Sequence, residues 1–277
     1  DEVYNKMEGG EAAFAPYYAG DYLTMADVNP DLAFVYPKEG VNYFVDAMCI
    51  PKTAENKEAA EKFGIPASFG SVEEMLANVE LDAIDICTWN NGHAPSAIAA
   101  AKAGKHVMCE KPLALTREDM HAIVAAAKAS DKKFMVGQIC RFTPAFIQAK
   151  KYIDEGKVGE LYFVESEYAH DYQHMFDHDP KNWRSDPKRN GVVGGGCHAV
   201  DLLRWIAGDP TEVYALANHK CLLDWPTNDC TVALYKFPNN VMGKVFVSIG
   251  CRRNYTMRSV FYGTKGTIIC DNTSDSV

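Results

Sequence analysis

Gly104-Lys105-His106-Val107-Met108-Cys109-Glu110-Lys111-Pro112 is the stretch on which the reading of this chain turns. His106 to Cys109 reads as a short buried strand that runs straight into a Glu-Lys-Pro corner. In an open α/β sheet, ligands bind just beyond the carboxyl ends of parallel strands, so a charged pair at such an end stands where chemistry is done. Proline fixes its own backbone angle and can take a cis bond, which aims the preceding lysine at one place. The plainer alternative is a turn carrying a solvated Glu-Lys pair.

The residues upstream favour the first reading. Ala83-Ile84-Asp85-Ile86-Cys87-Thr88 is a second apolar strand, and it ends in Trp89-Asn90-Asn91-Gly92-His93. Ala94 to Ala103 is alanine-rich and therefore helical, with Gly104 in the place of a helix C-cap. Strand, helix and strand make one right-handed βαβ unit. The run resembles the glucose–fructose oxidoreductase/inositol dehydrogenase (Gfo/Idh/MocA) family of nicotinamide-dependent dehydrogenases. That family's pattern is a strand, an Asn-x-x-His turn, a helix, then Gly-Lys-His-Val and Glu-Lys-Pro. It stands here as Asn90, His93, Gly104, Lys105, His106, Val107, Glu110, Lys111 and Pro112.

Working outward, the same pattern continues from Gly64 to the C-terminus. Ser71 is placed to N-cap a helix over Val72 to Ala77, with Glu74 at the capping-box position, and Thr116 with Asp119 repeats the arrangement. Lys133 to Val136 is a further strand, leading into Gly137-Gln138-Ile139-Cys140-Arg141-Phe142-Thr143-Pro144, similar to the family's passage out of the cofactor domain. A helix over Ala145 to Asp154 follows. Six strands then recur, Tyr162 to Tyr168, Glu212 to Ala217, Thr231 to Phe237, Val241 to Ser248, Arg258 to Tyr262 and Thr267 to Cys270. The fold expected is α/β: an incomplete Rossmann-like parallel sheet followed by an α+β domain with a mostly antiparallel sheet. Such a sheet can cover one face with helices and leave the other for contacts between copies.

Residues 1–63 do not open as a dinucleotide-binding domain does, because Gly9, Gly10, Gly20 and Gly40 never fall into Gly-x-Gly-x-x-Gly spacing. The segment is similar instead to part of the spermidine/putrescine-binding proteins of ABC importers, through Asn29-Pro30-Asp31-Leu32-Ala33-Phe34-Val35 and Phe44-Val45-Asp46-Ala47-Met48-Cys49-Ile50-Pro51-Lys52. That resemblance implies polyamine contacts at Phe44 and Asp46, where an aromatic face and a carboxylate suit a dication. Asp46 also follows a candidate strand, Val41 to Val45, in the place of a ribose-binding acid. The expected organisation is therefore a polyamine-binding-protein-like segment over 1–63, the remainder of a Rossmann-like domain over 64–141, and a substrate and oligomerisation domain over 142–277. The two resemblances imply a chimera, with both ends expected to be cut.

Composition bounds the function. The 277 residues are 47% hydrophobic and 23% charged, ordinary values for a globular protein. A net charge of −9 argues against nucleic acid and anionic membrane as partners. No run approaches the roughly eighteen apolar residues of a membrane span, and no basic-then-apolar signal peptide opens the chain. Nine cysteines without a C-x-x-C pair suggest buried, reduced thiols and a cytoplasmic setting.

His198 and Asp201, three apart, share a helix face behind the glycine-rich run Gly191 to Gly196. Oxidising a sugar or polyol hydroxyl needs a base for the O–H proton, and a histidine can serve. The resemblance implies catalysis by Lys111 and His198, with Asp201 orienting the substrate or the histidine. It implies cofactor contacts at Thr88, Asn90, His93, Glu110, Lys111 and Pro112, with Asp46 for the ribose, and a sugar pocket lined by Arg141, Tyr168, Trp183 and Arg184. Many family members carry an aspartate four residues before the histidine; here that position is Gly194. His170, His174 and His178 have metal-ligand spacing, but the hydride chemistry needs no metal and none is expected. The function expected is hydride transfer between a secondary alcohol and NAD or NADP in a homo-oligomer assembled through the second-domain sheet. The alternatives are a polyamine-binding fragment, or a silent fusion lacking the pyrophosphate loop.

Overall fold

A computed structural model describes residues 69–173 and 183–271. The expectations placed on Phe44, Asp46, His174 and His178 lie outside these residues. Helix α1 (Val72–Asn78) starts where Ser71 accepts the Glu74 N–H at 3.1 Å, and the Glu74 carboxylate reaches back to the Gly70 N–H at 2.8 Å. Strand β1 (Ala83–Ile86), helix α2 (His93–Lys102), strand β2 (His106–Glu110), helix α3 (Arg117–Ala129) and strand β3 (Phe134–Gly137) follow in order. The three strands form a parallel sheet in the order β1-β2-β3, with Ile84 beside Val107 and Val107 beside Phe134.

Small side chains seat α2 on this sheet. Ala97 and Ala100 are fully buried against a core containing Ile84, Ile86, Val107 and Cys109. Alanine costs no side-chain entropy and lets the helix axis come close. Gly104 ends the helix at φ 68°, in the left-handed region. A Cβ there would meet nothing within 4 Å, so glycine is needed for conformation, not for space. Helix α3 is capped by Thr116, whose Oγ accepts from the Asp119 N–H at 3.1 Å, and buries only Ile123. It is the outer layer.

Pro144 opens α4 (Pro144–Asp154) at a position where its missing N–H costs nothing. The second sheet comprises β4 (Leu161–Ala169), β5 (Glu212–Asn218), β6 (Cys230–Lys236), β7 (Met242–Ser248), β8 (Thr256–Gly263) and β9 (Gly266–Cys270), in the order β5-β6-β7-β4-β8-β9. Every neighbouring pair is antiparallel except β4 with β7, which is parallel. Helix α5 (Cys197–Ala207) packs Ala199, Leu202 and Leu203 onto the buried face, against Val164, Val245, Val247 and Phe261. Each fully buried leucine contributes about 1.5–3 kcal/mol.

A π-helical turn, Val192–Gly196, leads into α5. A Cβ on Gly195 would overlap the Tyr168 ring, so the glycines let the turn lie directly on β4. The opposite side of the sheet is open: Tyr214 and Leu216 on β5, with Leu234, Met242 and Ile269, are each more than half exposed.

Cys87 departs from expectation. It is exposed, because β1 ends at Ile86 and the thiol lies beyond the covered part of the strand. Cys109, inside β2, is buried as expected, and burial pushes its thiol up to about 12.

Candidate active site

The carboxyl ends of β1, β2 and β3 lie side by side, as the parallel register requires. Beyond β1, Thr88 and Trp89 are exposed, the indole to 63%. The turn Asn90–Gly92 then closes against Thr88: a Cβ on Gly92 would come 2.8 Å from the Thr88 hydroxyl. Beyond β2, the Lys111 N–H donates to Glu110 Oε2 at 3.0 Å, and the Glu110 carboxylate packs against Gly137 at the end of β3. The Lys111–Pro112 bond is cis.

Two residues expected to contact the cofactor make bonds within the scaffold. His93 is fully buried, with one ring nitrogen 2.8 Å from the Pro112 carbonyl and the other 3.0 Å from that of Thr88. A neutral imidazole carries one N–H and both partners are acceptors, so the ring donates to one of these carbonyls and lies against the other, between the loop after β1 and the corner after β2. Asn90, only 7% exposed, accepts from Arg189 Nε at 2.9 Å. Its side chain points to the glycine turn. Pro112 is also buried and presents its carbonyl to His93.

Lys111 crosses to the other half of the site. Its Nζ donates to the Gly194 carbonyl at 3.1 Å. Behind that turn His198 is 5% exposed, and its Nδ1 is buried with no hydrogen-bond partner among the described residues. Desolvation, then the nearby Lys111 charge, push the imidazole down to about 4, against the opposing pull of Asp201. His198 is therefore neutral at neutral pH. Its neighbour Cys197 has its thiol raised by burial and is no ready nucleophile.

Asp201 shares the helix face with His198 but is bonded elsewhere. Arg141, on the short turn Ile139–Phe142 after β3, grips the carboxylate at both oxygens, at 2.7 and 2.6 Å. This bidentate hydrogen bond raises the Arg141 pKa, and the guanidinium also lies 5.8 Å from the Trp205 ring centre. A planar fork matches a carboxylate better than one imidazole nitrogen does, so Asp201 pairs with Arg141 rather than orienting His198. Tyr168 is floor, not wall: it is 6% exposed under Gly195, with its hydroxyl 3.1 Å from His170 Nδ1 and 3.3 Å from the Tyr172 hydroxyl. Trp183 carries two guanidinium groups, Arg184 at 4.2 Å and Arg189 at 5.0 Å from its ring centre.

Arg189 and Gln138 were not among the expected site residues. Arg189 looks like one more charge in the polar run Ser185-Asp186-Pro187-Lys188-Arg189-Asn190, and only the fold shows it buried. Gln138 follows β3, and its Oε1 is buried with no partner among the described residues. An exposed indole, the polar ends of three parallel strands and an unpaired amide oxygen fit the nicotinamide end of a dinucleotide. The ring would lie on an apolar surface, and its carboxamide N–H would find an acceptor.

Sequence comparisons agree with this architecture. The profile described as "Oxidoreductase family, NAD-binding Rossmann fold" matches residues 30–138, and "GFO/IDH/MocA C-terminal domain" matches residues 146–269. The first match begins ahead of the boundary expected near residue 63. Levoglucosan dehydrogenase of Pseudarthrobacter phenanthrenivorans is 36% identical over 165 residues, 57% of this chain and 41% of that protein. Myo-inositol 2-dehydrogenase of Thermotoga maritima is 27% identical over 231 residues, 79% of this chain and 65% of that protein. A solved structure of levoglucosan dehydrogenase, in complex with NADH and levoglucosan, superposes with a TM-score of 0.69 at 31% identity, covering 77% of this chain and 60% of that one. The chain thus spans less than two thirds of the length of these relatives. None of these matches favours a polyamine-binding fragment.

Proposed function

The chain belongs to the Gfo/Idh/MocA oxidoreductases, with their NAD-binding Rossmann fold, and on that premise we propose that it oxidises a secondary hydroxyl of a sugar or polyol with a nicotinamide cofactor. One observation carries the reading. Lys111 leaves the end of β2 and reaches the Gly194 carbonyl at 3.1 Å, on the turn that leads to the unpaired Nδ1 of the neutral His198. An ammonium and a free imidazole nitrogen beside one turn suit removal of a hydroxyl proton.

The bound cofactor supplies the hydride acceptor. Thr88, Trp89, Glu110, Lys111 and Gln138 would hold its nicotinamide half, while His93, Asn90 and Pro112 keep the loops behind it in place. Residues that read the adenosine ribose fall outside the described part, Asp46 included, and the family match supports NAD over NADP as the first cofactor to test. His198 takes the hydroxyl proton, and the Lys111 ammonium stabilises the oxygen as negative charge develops. Arg141 and Asp201 hold the wall beside His198, and Trp183 with Arg184 closes the far side of the pocket.

The open face of β5 to β7 supports a homo-oligomer assembled through the sheet, since an apolar patch of this kind is costly to leave in water. The described cysteines Cys109, Cys140, Cys197, Cys221, Cys230, Cys251 and Cys270 form no disulfide among the described residues, which suits a cytoplasmic setting. Among the described residues no helix is long and apolar enough to cross a membrane. The organisation that these features support is a cofactor domain up to residue 141 and a substrate domain from residue 142.

The test is reduction of NAD by a panel of sugars and polyols, followed by absorbance, on the chain and on Lys111→Met. The variant should lose about 10²–10⁴-fold in kcat while remaining folded. Equal turnover by the two proteins would remove Lys111 from the chemistry.

A further inference from the structure

Two cations of the described site share one neutral acceptor. Lys111 Nζ and Arg189 Nη2 donate to the same acceptor, the Gly194 carbonyl, at 3.1 and 3.4 Å. Arg189 is only 6% exposed, and its partners among the described residues are all neutral: Asn90 Oδ1, the Gly194 carbonyl and the Trp183 ring. Arg184 brings another guanidinium to the same indole, and burial together with the Arg189 charge lowers its pKa.

No described acid is bonded to the Arg189 guanidinium or to the Lys111 ammonium. Asp201 is held at both oxygens by Arg141. Glu110 accepts the Lys111 N–H and lies against Gly137. Asp171 accepts the Gln173 N–H at 2.9 Å, and its charge acts on His170 and Cys251. Gly194 contributes no side chain, and a Cβ there would come 2.7 Å from Arg189 Nη1. Glycine is what lets the guanidinium and the lysine meet at one carbonyl. Burying a cation without an anion is costly unless something completes the pair. A bound anion would complete it.

We propose that the substrate is a polyol bearing a carboxylate, that is, a sugar acid, and that Arg189 with Lys111 selects it. Arg189 is then a specificity-determining residue. This rests on the dehydrogenase reading for the fate of the hydroxyl, but the anion preference is a binding property measurable without turnover. A carboxylate is the better match than a phosphate, because two converging donors satisfy its single negative charge. A focused positive field would also raise the local concentration of an anionic substrate.

The experiment is calorimetric titration of the full chain with D-gluconate, D-glucose 6-phosphate and D-glucose, with and without saturating NADH. The expected result is gluconate binding about tenfold or more tighter than glucose, since a charge-assisted hydrogen bond commonly contributes that much. Added salt should narrow the gap. Arg189→Gln should bring the two ligands to within about twofold of each other, and Arg189→Lys, which keeps the charge but loses the planar fork, should retain only part of the preference. Glucose binding as tightly as gluconate, or a preference untouched in Arg189→Gln, would overturn the proposal. So would tighter binding of glucose 6-phosphate, which would make the site a phosphate site. If Arg189→Gln does not fold, the wild-type ranking and its salt dependence still decide. NADH titrated alone tests the other reading: no binding of NADH beside an intact gluconate preference would remove the dehydrogenase and leave the anion site.

Discussion

Two buried histidines of this cleft, His93 and His198, differ in what their nitrogens do. His93 is fully enclosed, its ring nitrogens lying 2.8 Å from the Pro112 carbonyl and 3.0 Å from that of Thr88, one of which accepts its N–H. His198 is nearly as enclosed, at 5% exposure, yet keeps Nδ1 without a partner among the described residues. Folding normally satisfies buried polar atoms, so a satisfied histidine reads as a brace and an unsatisfied one as a group held in readiness. The same contrast separates the halves of the site: the loops after β1 and β2 are fastened to each other, while the turn before α5 collects cations and an unpaired nitrogen.

Substitution at the two histidines should therefore break different things. His198→Gln is expected to lower kcat by about 10²–10⁴-fold with little change in thermal stability. His93→Ala should act in the opposite sense. It removes one buried hydrogen bond and opens a cavity, costing about 2–4 kcal/mol by denaturant unfolding. A stable His93→Ala protein with normal cofactor binding would erase the distinction.

Acid sharpens the comparison next. The unfolded His198 imidazole titrates near its ordinary value of 6.5 and the folded one near 4. Between these values the unfolded chain binds the extra proton, so stability present above pH 6.5 falls as pH drops toward 4. The loss is about 3 kcal/mol for a group this buried. Unfolding followed from pH 7 to 4 should show His198→Gln less acid-sensitive than the parent. The acid limb of kcat/KM should likewise lie well below pH 6.5.

Asp201→Asn should have a smaller effect. Arg141 keeps one hydrogen bond and part of its solvent contact, its side chain being 38% exposed, so the loss is about 1 kcal/mol after screening. The His198 acid limb should then move further down, because an opposing charge has gone. Smallest is Gly104→Ala, which meets no atom but must hold φ 68°. The expected cost is about 1 kcal/mol in thermal unfolding and nothing in chemistry.

Local chemistry made much of the fold legible. The alanine run from Ala94, the left-handed Gly104 and the Ser71 and Thr116 caps each declare themselves within a few residues, and the strands after Tyr162 fall within two residues of their observed ends. Pairings across long sequence separations were hidden. Asp201 meets Arg141 at a separation of 60 residues, and Asn90 meets Arg189 at 99. The parallel contact of β4 with β7 is likewise written in no local pattern. The Asn-x-x-His turn is legible in the sequence, but spacing alone does not show that His93 lies between the Thr88 and Pro112 carbonyls. Lys111 was legible because proline and a strand end fix where it points.

The most direct test of the central claim is calorimetric titration of the purified chain with NADH and NADPH, repeated on Lys111→Ala. The corner after β2 and the turn before α5 predict saturable binding of NADH that the substitution weakens. No heat with millimolar cofactor, or identical binding by the two proteins, would contradict the assignment of this corner as the nicotinamide site.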